Sequence, residues 1–281
     1  MQVDTGTDTV LAEVVDGVGV VTLNRPERRN ALHPEMYDGV PRALDALLAE
    51  RDVGCILITG VGKGFCAGGD VRDGRQAKNA DGSRPPQPSV EEAGRDLAHS
   101  ARMVTMLRDA PVVTIAALPG PAVGAGIGIA LAADLRIAAR SARLVPGWSP
   151  LAFSGDFGGT WLLTRFLGPS KAMEVLLENL ELDADECLRL GLFNRLVDDA
   201  ELPTAALDWA RRIAAGPRTM QRLLKENVRQ AEHLTLAEAL PLESDRMARS
   251  GRTDEHRAAV KAWMARAAAK RAEAPQTAEE R

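Results

Sequence analysis

Hydrophobic positions along the chain follow a period of two, then a period near four, and keep alternating between them. Val10 to Val15 and Val18 to Leu23 are β-rich runs joined at Asp16-Gly17, a strong hairpin signal. A polar loop, Asn24 to Leu32, comes next. Pro34 suits the first turn of a helix running to about Glu50, with Pro41 expected to bend it. Cys55 to Thr59 predicts a short buried strand ending at Gly60, and Val61 to Asp70 is a glycine-rich turn. A helix is expected from about Val90 to Leu107, and Val112 to Ile115 reads as a buried strand. Short strands at Leu135 to Ala139 and Arg143 to Val145 precede helical stretches at Gly158 to Leu167, Pro169 to Glu178 and Ala184 to Leu190, the last ended by Gly191. Leu192 to Val197 is expected to close the core as a strand.

From Asp198 the strands stop. Ala205 to Ala215, Thr219 to His233, Leu236 to Ser250 and Asp254 to Arg271 carry helical patterns. Leu207, Ala210 and Ile213 form one apolar stripe, and Val260, Trp263 and Met264 another, so these helices either cover their own core or meet another subunit. The order of elements predicts an α/β architecture with helices on parallel sheets. It divides into a core over 1–197, a helical region over 198–271 and a disordered tail over 272–281. Within the core, Arg72 to Ser89 has scarcely an apolar residue and reads as a mobile loop, either a lid over a site or a surface insertion.

Composition narrows the class. The 281 residues are 45% hydrophobic and 26% charged, as in ordinary globular proteins, and suffice for a full core. A formal net charge of −4 makes nucleic acid an unlikely partner. Cys55, Cys66 and Cys187 are scattered without metal-ligand spacing, which fits a reducing cytoplasm. The first residues lack a signal-peptide pattern, and no apolar run approaches the roughly 20 residues of a membrane helix. The expectation is a soluble cytoplasmic protein with no metal.

The stretch from Leu118 to Asp134 carries the candidate chemistry. A buried strand feeds Gly120, Gly124, Gly126 and Gly128, among which a small-residue helix starts. Backbone N–H groups at a helix start lack intrahelical partners, and the helix dipole favours negative charge in front of them. Such a turn could hold a phosphate or the developing oxyanion of a carbonyl. It could also be a packed helix start with no ligand.

Five motifs in order give the chain a resemblance to the crotonase superfamily, the enoyl-CoA hydratase/isomerase group. They are Leu23 to Leu32, Gly64 to Asp70, Gly120 to Gly126 continuing through Asp134 to Ala138, Gly158 to Arg165, and Ala184 to Val197. The resemblance spans roughly Val10 to Arg266. It implies a spiral core of repeated ββα turns, a C-terminal helical trimerisation region, and a homotrimer or dimer of trimers. It also implies an acyl-CoA thioester as substrate, with coenzyme A belonging to the substrate and no separate cofactor. The thioester carbonyl would sit between the backbone N–H groups of Gly69 and Ala125, and Arg28, Arg29, Ala31, Ala67, Gly68, Asp70 and Gly124 would contact the substrate. Arg28 and Arg29 could equally be a solvated surface pair.

Departures from the family pattern decide the chemistry. The two hydratase glutamates are replaced by Gly128 and Trp148, neither of which moves a proton. Asp156 resembles the catalytic acid of family members that shift a double bond along the acyl chain, although it could instead cap the helix near Gly158. Asp156, Trp148 and His99 also resemble the nucleophile, orienting tryptophan and hydrolytic base of 4-chlorobenzoyl-CoA dehalogenase, whose aryl-binding aromatics are not evident in this sequence. On the bland reading, Trp148 lines an acyl pocket and His99 is an ordinary helix residue. Cys66 is expected to be a small buried residue. Double-bond isomerisation is therefore the leading expectation. The alternatives are atypical hydration, dehalogenase-like hydrolysis, and a non-catalytic CoA- or RNA-binding homologue.

Overall fold

The alternation read from the sequence settles which side chains face which side of the main sheet. In the computed structural model, which describes residues 1–70 and 87–273, seven strands lie in the order β1-β2-β3-β4-β5-β7-β10. They are β1 (Gln2–Val3), β2 (Val10–Val15), β3 (Val18–Leu23), β4 (Cys55–Gly60), β5 (Val113–Leu118), β7 (Leu135–Ala139) and β10 (Arg195–Val197). The β1-β2 and β2-β3 pairs are antiparallel, and the remaining pairs are parallel. The hairpin closes at Asp16 (φ 51°) and Gly17 (φ 78°), the left-handed pair that a tight two-residue turn requires. A small second sheet joins β6 (Ala122–Val123), β8 (Arg143–Val145) and β9 (Leu182–Asp183).

Both faces of the main sheet are covered. Ile56 and Ile58 of β4 face the larger core, under α1 (Pro34–Ala49), α3 (Arg102–Asp109) and α4 (Ala125–Ala132). Cys55 and Leu57 face the other way, against Leu202, Ala206, Trp209, Ala210 and Ala214 of α8 (Leu202–Ala214). Each strand residue thus chooses a face by its parity. The α4 helix is buried at every residue, as expected of a helix that is apolar all round.

Two boundaries differ from the sequence reading. The helix expected over Val90 to Leu107 is divided at Ala101 (φ −75°, ψ −5°) into α2 (Val90–Ser100), which has no buried residue, and α3, which buries Met103, Val104 and Leu107. Ser89 and Glu92 form the capping box that starts α2. The compact unit that contains the core extends to Ala215 rather than Val197, since α8 is the layer that covers the sheet's second face. Residues 71–86, most of the segment expected as a mobile loop, and 274–281 of the expected tail lie outside the described residues.

After Ala215 a second unit begins. It holds α9 (Arg218–Ala231), α10 (Leu236–Ser250) and α11 (Asp254–Glu273). Arg246 of α10 bonds Glu226 and Asn227 of α9, and the Glu255 carboxylate caps α9 by accepting from the N–H groups of Arg218 and Thr219. Leu236, Met247, Trp263 and Met264 are exposed. Between the first unit's core elements lie α5 (Gly159–Leu167), α6 (Pro169–Leu177) and α7 (Ala184–Arg189). Among the described residues no helix is long and apolar enough to cross a membrane.

Candidate active site

Three loops zip together by backbone hydrogen bonds to build the site. The Ala67 N–H donates to the Arg29 carbonyl, the Leu32 N–H to Gly68, and the Asp70 N–H to Leu32, joining the polar loop to the first glycine turn. The Phe65 N–H donates to Pro121 and the Val123 N–H to Cys66, joining the first turn to the second. Asn30, fully buried, ties the polar loop down by donating to the carbonyls of Val61 and Gly64. Cys66 is buried beneath, and burial pushes its thiol up to about 12, so it is no nucleophile.

Gly69 and Ala125 emerge from this scaffold on the wall of one chamber of about 470 Å³, which Leu32, Tyr37, Gly68, Gly124, Trp148, Leu151, Phe153 and Asp156 also line. Ala125 is the first residue of α4, so its N–H has no intrahelical acceptor. Neither the Gly69 N–H nor the Ala125 N–H donates to any group among the described residues. Two unsatisfied backbone donors on one chamber wall are what an oxyanion requires.

A second cleft of about 420 Å³ adjoins the chamber through Ala67, Gly69 and Asp70, and is lined further by Glu27, Arg28, Arg29 and Ala31. The sequence-based substrate contacts therefore fall into two groups, the arginines outside and the glycine turns inside. Arg25 was not among them. Its guanidinium bonds the Asp70 carboxylate at 3.3 Å and the Ala31 carbonyl at 2.7 Å, with only 12% of the side chain exposed. It fixes the mouth shared by the two cavities. In the sequence Arg25 was one more charge in a polar loop, and nothing marked it as buried.

Asp156 brings a carboxylate to the chamber wall. Its Oδ1 accepts from Trp148 Nε1 at 2.8 Å, which leaves the other oxygen for the chamber. Desolvation raises its pKa above the ordinary 3.8, while the indole hydrogen bond pulls against that rise. Asp156 does not cap α5 with its side chain: Gly158 holds the N-cap position, without a side-chain hydrogen bond.

Close packing sets this geometry. A Cβ on Gly128 would fall well inside 3.0 Å of the Phe157 carbonyl oxygen, and one on Gly159 inside 3.0 Å of the Trp148 ring. Position 128 thus has no room for a glutamate, because the turn that carries Asp156 is seated on it.

His99 is not brought to the site. It sits on α2, which buries no residue, with its side chain 68% exposed and its Nε2 4.0 Å from Asp38, whose carboxylate also pairs with Arg102. It does not line the chamber. The spacing that matched it to a hydrolytic base placed it on a solvent face. Tyr37 and Phe153, conversely, were missed: Tyr37 lies on α1 beside core residues, and Phe153 lies in an irregular loop with no period to betray it.

Fold and site together define an α/β protein whose chamber is lined by two backbone donors, at Gly69 and Ala125, and by the half-buried Asp156. The sequence pattern of the family described as enoyl-CoA hydratase/isomerase matches residues 13–271, and the chain belongs to that family, within the crotonase superfamily. It is 37% identical over 260 residues to 1,2-epoxyphenylacetyl-CoA isomerase of Escherichia coli K12, covering 92% of this chain and 95% of that protein. It is 31% identical over 228 residues to 4-chlorobenzoyl coenzyme A dehalogenase-2 of an Arthrobacter species, covering 81% and 80%. Among solved structures, a putative enoyl-CoA hydratase of Thermobifida fusca in complex with CoA is similar at TM-score 0.77 and 32% identity, covering 85% of this chain and 91% of that one.

Proposed function

We propose that this chain is an acyl-CoA-processing enzyme that shifts a carbon–carbon double bond of an enoyl thioester by proton transfer through Asp156. The single observation that carries the reading is the desolvated Asp156 carboxylate in the chamber walled by the Gly69 and Ala125 N–H groups. Asp70, the other carboxylate lining the chamber, is paired with Arg25. In a 3-enoyl thioester, Asp156 takes the proton from the α carbon. The C–H electron pair moves into a dienolate whose oxygen accepts from the two N–H groups. The protonated Asp156 then returns the proton to the γ carbon, and the double bond comes to rest conjugated with the thioester. No water or redox partner enters the balance. A raised carboxyl pKa suits both halves of this cycle, since the group is a stronger base first and a ready acid afterwards.

Arg28 and Arg29 in the outer cleft supply the charge for the CoA phosphates. The exposed apolar residues of α10 and α11 supply the contacts for a homotrimer or dimer of trimers. Hydration by two glutamates is disfavoured by Gly128 and Trp148. A second reading, dehalogenase-like attack by Asp156 on an aryl thioester, is favoured by the Trp148–Asp156 hydrogen bond but lacks its base, since His99 lies outside the chamber.

Asp156→Asn tests the proposal. Conversion of a 3-enoyl-CoA to its 2-enoyl isomer is expected to fall by at least about 100-fold with KM little changed, the usual contribution of a general base. A variant that keeps its turnover removes Asp156 from the chemistry.

A further inference from the structure

The chamber's walls bear on which acyl group it takes, an inference that rests on the CoA-thioester reading above. Aromatic residues make up only 4% of this chain, with a single tyrosine. That tyrosine, Tyr37, lines the chamber together with Trp148 and Phe153. They arrive from three separate places in the fold: α1, the turn after β8, and the loop beyond it.

Two of the rings are held. Trp148 is packed against Gly159 and bonds Asp156, and its side chain is nearly buried. Tyr37 lies 6.1 Å from the Phe157 ring, tilted by 39°. Phe153 is different. It is 62% exposed, and its neighbour Leu151 is 49% exposed, although both line the chamber. A large apolar side chain in solvent at a cavity wall has contact area to offer a ligand.

Position now matters. A carbon that exchanges a proton with Asp156 must come within about 3.5 Å of its free oxygen, and the bonded oxygen is 2.8 Å from the indole nitrogen. The reacting part of the acyl group therefore lies beside the Trp148 edge, with Tyr37 and Phe153 around the same space. Aromatic rings attract one another edge-to-face or offset, a preference that a straight chain cannot use. A benzene-sized ring fills a cavity of about 150 Å³, so a chamber of about 470 Å³ holds such a ring with its thioester.

We propose that the chamber selects thioesters whose acyl group carries a flat, unsaturated six-membered ring, gripped by Tyr37, Trp148 and Phe153, over straight-chain acyl groups. Sequence alone shows no aromatic set because Tyr37 lies over 100 residues before Trp148 and Phe153, and those two stand in an irregular stretch with no period to pair them.

Titration calorimetry with phenylacetyl-CoA, cyclohexylacetyl-CoA and octanoyl-CoA tests this, since the three acyl groups have equal carbon counts and lack the double bond to be shifted. The wild type is expected to bind phenylacetyl-CoA at least about threefold more tightly than either of the others. The Tyr37→Leu/Phe153→Leu double variant is expected to bind all three with that difference gone. Equal affinities in the wild type, or tightest binding of octanoyl-CoA, overturn the ring preference and leave the CoA-thioester reading intact. A ring preference that survives in the double variant removes Tyr37 and Phe153 as its source and overturns the proposed grip. No binding of any of the three overturns the CoA-thioester reading, and the ring preference falls with it.

Discussion

Adding one methyl group at Gly128 is the sharpest structural perturbation of the proposed mechanism. A Cβ there would sit well inside 3.0 Å of the Phe157 carbonyl oxygen, a distance real Cβ atoms essentially never show. The obstacle is backbone, so it cannot swing aside as a side chain would. The Phe157 peptide must retreat by about 1 Å, and Asp156, its immediate neighbour, must move with it. Overpacking of this kind costs about 3 kcal/mol at the upper end, and replacing a helical glycine returns about 1 kcal/mol. Gly128→Ala should therefore destabilise the protein by about 2 kcal/mol. A displacement near 1 Å at a reacting group costs about 100-fold in rate. The assays are urea unfolding and turnover of a 3-enoyl-CoA. Gly94→Ala is the control, because a Cβ at that exposed position on α2 meets nothing within 4 Å. It should keep full activity and gain up to about 1 kcal/mol. A Gly128→Ala variant with wild-type stability and wild-type turnover would refute the claim that this glycine seats the Asp156 turn.

Other outcomes follow from the same geometry. The folded pKa of Asp156 is raised, so kcat/KM should fall with acid through a midpoint above the ordinary 3.8. The stability cost of burying the ionised carboxylate is present above that midpoint and is relieved as pH falls through it. Trp148→Phe removes the hydrogen bond that lowers this pKa. The acid limb of the pH–rate profile should move further upward in that variant, and an unchanged profile would detach the indole from the carboxylate's titration. Arg25→Met breaks a pair whose side chains are 12% and 6% exposed, for an expected loss of about 3 kcal/mol in urea unfolding together with a raised KM. Wild-type stability and KM would reduce Arg25 to a bystander.

How much of this was legible beforehand depended on whether a residue's role was local. The β2-β3 hairpin was found to the residue, because Asp16-Gly17 fixes the turn and each run announces its own strand. By contrast, β1, β6 and β9 have two residues each and exist only through their partners, so no period revealed them. The glycine turns were legible from their own composition, Trp148 and Asp156 were singled out because their spacing matched a family pattern, and all of them line one chamber. The same method failed for His99, since spacing along a helix says nothing about which face that helix turns to solvent. Arg25, Tyr37 and Phe153 were missed because their importance comes from loops and helices that meet only after folding.

The central claim is that Asp156 moves a proton rather than forming an ester. Its most direct test is mass spectrometry of products from 2-enoyl, 3-enoyl and 4-chlorobenzoyl thioesters incubated with the enzyme in heavy-hydrogen and heavy-oxygen water. A rearranged enoyl product that gains solvent deuterium but no heavy oxygen, and that disappears with Asp156→Asn, is the predicted result. Heavy oxygen in place of chloride on the aryl thioester, with no rearranged enoyl product, would contradict the account.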